Sequence, residues 1–530
     1  HAGSHLLDVN SVGSSEELDD QLDAESQDDV KEDYEVQFAR DFVLQVPFTH
    51  RKQMLEKGKP FVEKKIAEEQ QRIDAAISAL GVDWTPGPTP KDVKLAATFS
   101  PTQDQKIAAG ETFDMAVTAE NKGSEPLKRV RAWTESENYY LDRREFLIGA
   151  LAPGEKKTWK VKVRLPKDMT SRRDDVTVKL LDDNGALPGT LVSELSFTEL
   201  PRPAFAFNWQ VVDDCDTCNR DGVAQRGEDV SLVLDVTNTG KGKALDSFAQ
   251  IKNVGDPNIF IEKGRFKLGE LSPGETKSAR FQLAVKKGLK EDHFPLKLTI
   301  IDEPLEEFAV EKLDLPVQDS PSMKLEAKKG LVKLAEKTEL LASPAADAAV
   351  IARLPRPATL NLEATAKGYD RVALDKDRFA FVRTQDAQDT RGKPNTAVEL
   401  TYVPRRSPPD IKLDVDPTQG GLVAAGEKYT LSGEVTDAQG LLDMYILVND
   451  QKVYFQAVDA AKAKDNAPQK LKFSTEFSLK EGNNSVLVVA RESTDFASRR
   501  TLVIRRRSPE VAQKLAAPTQ VNKPTKTATP

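Results

Sequence analysis

Two periods of apolar residues divide the chain. Between residues 35 and 85 apolar positions recur at helical spacing. Val36, Phe38, Ala39, Phe42 and Val43 share one face of "YEVQFARDFVLQ", and Ile66, Ile73, Ile77 and Leu80 share one face of "PFVEKKIAEEQQRIDAAISALG". Pro60 suits a first helical turn and Gly81 a helix end, so the pattern predicts a helical hairpin over 35–85. From residue 91 to 507 the period falls to two. "TFDMAVTAEN", "WKVKVRL", "DVSLVLDVTN", "ARFQLAV" and "LKLTII" alternate apolar with polar residues between Gly, Pro, Asn and Asp punctuation. Parallel strands need long crossovers, and no helical segments separate these runs, so antiparallel sandwiches are expected.

Part of this pattern occurs twice. "FLIGALAPGEK" at 146–156 lies under "FKLGELSPGETK" at 266–277, matching Gly149, Leu151, Pro153, Gly154 and Glu155 to Gly269, Leu271, Pro273, Gly274 and Glu275 at an offset of 120. Upstream, Gly110, Glu111, Asn121 and Gly123 match Gly227, Glu228, Asn238 and Gly240 at an offset of 117. Nearly constant spacing between two anchors marks a duplicated module, and its length of about 110 residues is that of an immunoglobulin-like sandwich. Sandwiches are therefore expected at 91–200 and 203–318. In L-x-P-G-E the proline fixes φ and the glycine accepts a positive φ, which makes the motif a turn holding a hairpin in register. Its glycines are read as structural.

The rest of the chain divides by composition. Residues 324–386 carry short strands and end in "GYDRVAL…RFAFV", the pattern of a small barrel with Phe379, Phe381 and Val382 in its core. Residues 387–408 read as a linker, and 409–507 as a third sandwich in which "VNDQKV" makes a tight hairpin. Twelve Asp and Glu stand against Lys31 alone between residues 8 and 35, so 1–34 is expected to be a solvated, disordered linker. The Pro-, Thr- and Lys-rich 508–530 is expected to be a disordered tail. The fold class is mainly β, with each module a separate thin double layer sharing no deep interior with its neighbours.

Composition narrows the function. A chain of 530 residues implies several domains, and a net charge of -8 argues against nucleic acid as a partner, because phosphate binding needs clustered excess Lys and Arg. No run of about 18 apolar residues is present, so no transmembrane segment is expected. The opening "HAGSHLLDV" has neither an initiating Met nor a signal-peptide plan and reads as an internal start. The four histidines, His1, His5, His50 and His293, are scattered, and no nucleophile elbow, metalloprotease, Walker or dinucleotide motif occurs. No catalytic residue is assigned.

One segment concentrates chemistry. In "VVDDCDTCNRDGVAQRGED", residues 211–229, Asp213, Asp214, Asp216, Asn219 and Asp221 crowd around Gly222, with Glu228 beyond. Oxygen donors at alternating spacing suit Ca²⁺, for which Asp214, Asp216, Asn219, Asp221 and Glu228 are the candidate ligands; an exposed acidic turn is the other reading. Cys215 and Cys218 lie inside this loop. Zinc would need two more ligands and a redox role a helix start, so a loop-stapling disulfide in an oxidising compartment is preferred. The basic runs "PRRSPP" and "IRRRSPE" place Arg405, Arg406, Arg505, Arg506 and Arg507 after presumed last strands, read as solvated edges or as docking points for an acidic surface.

The N-x-G…G-x-L-x-P-G-E skeleton of the two repeats resembles the CARDB-type, immunoglobulin-like domains of exported bacterial proteins, and 324–386 resembles a bacterial SH3-like domain lacking its usual Trp and Gly. The order of acidic linker, "YEVQFARDFVLQ…DAAISALGVDWTPGPTP" and sandwiches is similar to the region downstream of the catalytic and PDZ domains in secreted S41-family (tail-specific) serine peptidases. No segment matches that family's Ser-Lys core. The resemblance implies a non-catalytic carboxyl-terminal half of such a peptidase, periplasmic, envelope-bound or secreted, holding unfolded polypeptide or cell-envelope partners. A stand-alone surface adhesin or scaffold is the alternative.

Overall fold

The computed structural model describes residues 51–101, 105–216, 218–319, 323–375, 378–458 and 469–507, with side chains from residue 58 onward. The chain forms two compact units, His1–Thr85 and Pro86–Pro530. In the first, helix α1 spans Arg51–Ala79. It runs through Pro60 instead of starting there: a proline inside a helix forfeits one hydrogen bond, and the Lys-, Glu- and Gln-rich flanks are good helix formers that carry the helix past it. The chain leaves the helix at Gly81, whose φ is 77°. Phe61, Val62, Ile66, Ile73 and Leu80 are exposed. The partner helix expected near 36–43, the acidic segment 1–34 and the tail 508–530 lie outside the described residues.

Among the described residues the second unit is built of β-strands with three short 3-10 turns, a series of β modules as the alternating pattern requires. In the first sandwich Leu95–Ser100, Thr112–Asn121 and Lys156–Arg164 make one sheet, facing a larger sheet built around Leu127–Glu135, Arg172–Asp182 and Leu191–Thr198. In the second, Phe205–Val212, Asp229–Asn238, Thr276–Val285 and Ile259–Lys263 face a sheet containing Ala244–Asn253, His293–Asp302 and Glu307–Gln318. The third places Asp410–Leu413, Lys428–Asp437 and Gln469–Ser478 against a five-stranded sheet ordered Leu422–Ala424, Ala497–Arg506, Gly482–Arg491, Asp443–Val448, Gln451–Ala457. Each has its own apolar core, such as Met115, Val117, Val176 and Phe197 in the first.

The duplicated motif has a specific job. Asn121 Nδ2 donates to Glu125 O and Leu151 O at 2.8 and 3.0 Å, and Asn238 Nδ2 donates to Gly242 O and Leu271 O at the same two distances. Each asparagine's carbonyl accepts from the turn glycine, Gly154 or Gly274, whose φ is 77° or 80°. The turn glutamates Glu155 and Glu275 close the turn by accepting from Ala152 and Ser272 N–H, each at 2.8 Å. The N-x-G turn and the L-x-P-G-E turn are thus two halves of one clamp between facing sheets.

Between the second and third sandwiches lies an eight-stranded sheet running from Glu326–Leu334 to Thr401–Tyr402. It absorbs the segment expected as a linker: Ala387–Thr390 pairs with Glu326–Leu334, and Thr401–Tyr402 pairs with Val350–Arg353. Val382 enters this sheet's core, but Phe379 and Phe381 pack with Val212 and Val233 of the second sandwich. Alternation along a strand fixes which residues share a face but not what covers that face, so these two phenylalanines fill a seam with the second sandwich and not the barrel core expected for them.

The same correction holds on a larger scale, because the modules share buried seams. Phe496 of the third sandwich sits in the core of the second, edge-on to Phe207 with ring centroids 5.5 Å apart. Arg405 stacks over Trp209 at 4.0 Å, and Arg406 pairs with Glu492 at 3.0 Å. The strand Ala497–Arg506 then reaches the first sandwich, where Arg500 pairs with Glu199, Arg505 with Asp175 and Glu137, and Arg507 with Glu194. The basic runs are therefore module glue and not solvated edges. Arg405, Arg406, Arg505 and Arg507 reach across seams, while Arg506 donates within its own module to Leu479 O at 2.7 Å.

Candidate functional site

The cysteine loop follows the edge strand Phe205–Val212 and precedes its neighbour Asp229–Asn238, and the pairing of these two strands holds its ends side by side. Cys215 and Cys218 are joined as a disulfide. Inside the loop the carboxylates point at the loop's own backbone. Asp213, fully buried, accepts from Asp221 N–H and Gly222 N–H, both at 2.9 Å. Asp221 accepts from Val223 N–H at 3.0 Å and from the Gln225 carboxamide, Asn219 accepts from Asp221 N–H at 2.8 Å, and Glu228 accepts from Gln225 N–H at 2.9 Å.

Burial governs the protonation of this group. It pushes Asp213 up to about 7 despite the backbone N–H bonds that favour its charged form, with the neighbouring Asp221 charge adding to the rise. Asp221 and Glu228 are raised for the same first reason. Asp214 is exposed and pairs with Arg280 at 3.1 Å, and Asp216 is exposed.

The Ca²⁺ set expected from spacing is therefore not assembled. Asp214 and Asp216 face outward, Asp221, Asn219 and Glu228 are committed to main-chain donors and to Gln225, and no three acidic, His or Cys groups among the described residues converge to hold an ion. Spacing along the chain shows which side chains carry oxygen but not what competes for them, which is the loop's own N–H donors. The loop serves as a seam element. Arg371 donates to Arg220 O at 2.9 Å, and Gly222, at φ +79°, passes so close to Ala342 O that any side chain there would collide with it.

An open sheet edge is the second candidate. Gln451–Ala457 ends the five-stranded sheet of the third sandwich and pairs with Asp443–Val448 on one side. The two strands are joined at Asn449 and Asp450, both at positive φ, the geometry a two-residue hairpin requires. Tyr454 turns inward onto Phe473, while Val453 and Phe455 are exposed, Phe455 by 53%. The Lys452 ammonium lies over the rings of Tyr445 and Phe455 at 5.1 and 5.5 Å. The second sandwich exposes one more edge phenylalanine, Phe260, on Ile259–Lys263. Of the histidines only His293 is among the described residues, on an exposed strand end beside Asp292 at 2.8 Å.

No protein-family model matches the sequence, and no curated protein matches it. Among solved structures, the crystal structure of a protein of unknown function from Porphyromonas gingivalis W83 is similar over 42% of this chain and 99% of its own, with 13% identity and a TM-score of 0.16. No helix among the described residues is long and apolar enough to cross a membrane.

Proposed function

We propose that this chain is a polypeptide-binding accessory region, the carboxyl-terminal part of an exported S41-type serine peptidase, which holds extended substrate or envelope-protein segments for a catalytic domain elsewhere. The observation that carries the binding reading is the edge strand Gln451–Ala457, which among the described residues has a paired strand on one side only and has Val453 and Phe455 exposed on it. An extended peptide adds to such an edge by main-chain pairing, with exposed apolar groups supplying side-chain contacts. The modules' shared seams support the reading by giving the edge a fixed place in one body, which lowers the entropy lost on binding. The Cys215–Cys218 disulfide favours an oxidising compartment outside the cytosol.

Two experiments test the two halves of the reading. The full chain should bind a permanently unfolded probe, reduced and carboxymethylated α-lactalbumin, and Val453→Lys with Phe455→Lys should abolish binding without lowering the melting temperature, since added lysines protect edges from pairing. Binding that survives both substitutions would reject the edge. The peptidase parentage is tested by the reading frame upstream of His1: a PDZ domain with a Ser-Lys peptidase core supports it, and a signal peptide directly preceding this region rejects it in favour of a stand-alone scaffold.

A further inference from the structure

One sheet of the second sandwich turns its outer face to solvent. Along Ala244–Asn253, His293–Asp302 and Glu307–Gln318 the core positions Ala249, Ile251, Leu298, Ile300, Ala309 and Leu313 are buried, so the alternate positions make the outer face. On that face Lys252 stands directly opposite Lys297, and Lys297 directly opposite Lys312. All three are exposed, and none makes an ion pair among the described residues. Like charges directly opposite one another destabilise a sheet, so folding alone gives no reason for this row.

The duplicated module shows that the fold does not require it. The offsets of 117 and 120 that align the two clamps place Glu135, Thr177 and Val192 at the positions of Lys252, Lys297 and Lys312. The pairing agrees, because Glu135 stands opposite Thr177 and Thr177 opposite Val192. Arg265 and Lys267, on the neighbouring strand Arg265–Leu271, fall on Glu145 and Leu147. The first repeat therefore has no cation at any of these positions. It does carry Arg131 and Lys179, where the second has Phe248 and Thr299, and they balance its two glutamates. Only the second repeat has a basic face, in a chain whose net charge is -8.

The same face exposes apolar surface. Phe248 lies opposite Ile301, and Ile301 opposite Phe308, which is 41% exposed. The Arg265 guanidinium sits 3.8 Å from the centre of the Phe248 ring, and that of Arg499, from the third sandwich, 4.7 Å from the centre of Phe308. Acidic neighbours leave a positive surplus. Asp246 pairs with Lys267 at 2.9 Å, Glu303 comes only to 3.8 Å of the exposed Arg265, and Asp314 lies beside His293 at 4.0 Å.

The layout of the cations selects the partner. Lys252, Lys297 and Lys312 run across the strands, while Arg265 and Lys267 run along one. A single extended acidic chain can follow one of these lines but not both. A broad surface carrying many anions meets both at once, and an exposed aromatic ring beside cations is the pairing that seats a protein in the headgroup layer of a bilayer.

We propose that this face of the second sandwich docks on an anionic phospholipid bilayer, with Lys252, Lys297, Lys312, Arg265 and Lys267 on lipid phosphates and Phe308 at headgroup depth. The proposal goes beyond the edge-strand reading and does not depend on it, because none of these residues lies on Gln451–Ala457.

The test is co-sedimentation of the full chain with vesicles of phosphatidylcholine alone and of equal parts phosphatidylcholine and phosphatidylglycerol, at low and high salt. The chain should bind the anionic vesicles, leave the neutral ones, and release in high salt. Replacing the row by Lys252→Gln, Lys297→Thr and Lys312→Val should weaken binding about a hundredfold, since each lysine near an anionic surface contributes about tenfold or slightly less. This variant should melt no lower than the parent, because the opposed charges are gone. Lys156→Gln, Lys160→Gln and Lys162→Gln, the same charge change on an exposed strand of the first sandwich, should leave binding intact. Phe308→Ser should weaken it further in the row variant. Soluble polyglutamate and duplex DNA are the competing occupants: binding of either by a parent chain that ignores anionic vesicles overturns the proposal. So does equal binding to both vesicle types, undiminished binding by the row variant, or an equal loss in the first-sandwich control.

Discussion

Asp235 and Arg378, 143 positions apart in the chain, meet through two parallel hydrogen bonds of 2.9 and 2.6 Å in the seam between the second sandwich and the eight-stranded sheet. Their side chains are 1% and 7% exposed. The remaining groups are satisfied too: Ser278 donates to Asp235 at 2.6 Å, and Arg378 Nε donates to Gln210 at 3.2 Å. A buried pair this well bonded makes each partner dependent on the other. Removing one leaves an uncompensated charge away from water, which costs about 3–5 kcal/mol, whereas replacing both by apolar groups of similar size is often neutral. Arg378→Met alone should therefore lower the urea midpoint sharply, and Arg378→Met with Asp235→Leu should recover most of the loss. Equal destabilisation by single and double variants would show that the pair does not act as a unit.

The clamp shared by the two repeats makes a paired prediction. Asn121 and Asn238 are buried and each donates from Nδ2 to two main-chain carbonyls, of which Leu151 O, Gly242 O and Leu271 O are buried away from water. Asn121→Ala and Asn238→Ala should each destabilise their own sandwich by about 1–3 kcal/mol, the cost of leaving buried acceptors unpaired. Hydrogen exchange resolved by peptide should localise the loss to the altered repeat. Protection lost in both modules at once would mean that the repeats do not fold as separate clamps.

How far the sequence reached follows from what kind of information each feature carries. Strand identity along "TFDMAVTAEN" and the turns at Gly154 and Gly274 were legible because period-two burial and positive φ are local demands. The hairpin at Asn449 and Asp450 was legible for the same reason. Phe379 and Phe381 were read as apolar and inward, but the neighbour that covers them is a different module, and no spacing within one strand encodes that. Arg505 and Asp175 are far apart in the chain, so a run of arginines looked like a solvated edge until its acidic counterparts on the first sandwich were in place. In the cysteine loop composition identified the donors, while the decisive competitors, the main-chain N–H groups of Asp221, Gly222 and Val223, are invisible to a reading by side chains.

The disulfide closes a very short segment, with a sequence separation of 3. Chain-entropy reasoning gives a loop of this size on the order of 2 kcal/mol, less than a long loop would yield. The hydrogen bonds that Asp221 N–H donates to Asp213 and Asn219 do not depend on the disulfide. Cys215→Ser with Cys218→Ser should thus fold normally and lose no more than about 2 kcal/mol. Intact mass after alkylation should show no modified thiol before reduction and two after it.

Three carboxylates, Asp213 and Glu492 with buried side chains and Glu307 with a half-buried one, set the response to pH. Asp213 is pushed up to about 7, Glu307 to about 7 and Glu492 to about 8, in each case chiefly by burial. Glu307 and Glu492 lie where the third sandwich meets the others, Glu307 near Arg202 and Arg500 and Glu492 on Arg406, while Asp213 anchors the cysteine loop. In the unfolded chain the same groups titrate near 4. Between those values the folded state holds protons that the unfolded state has released, so folding is favoured at low pH and this contribution fades as pH rises through 7 to 8. Exposed His293, raised by its bond to Asp292, adds a change of the same sign. The carboxylates held low, Glu339 among them through Arg353 and Arg383, lose their contribution only below the ordinary carboxylate range and do not oppose the trend. The denaturation midpoint should therefore be higher at pH 5.5 than at pH 8.5, a span chosen to bracket the raised values. Asp213→Asn should flatten part of that slope and Glu492→Gln the part nearest pH 8, since neither replacement titrates. A midpoint that rises over this span, or a slope that both variants leave intact, would show that these groups do not control it.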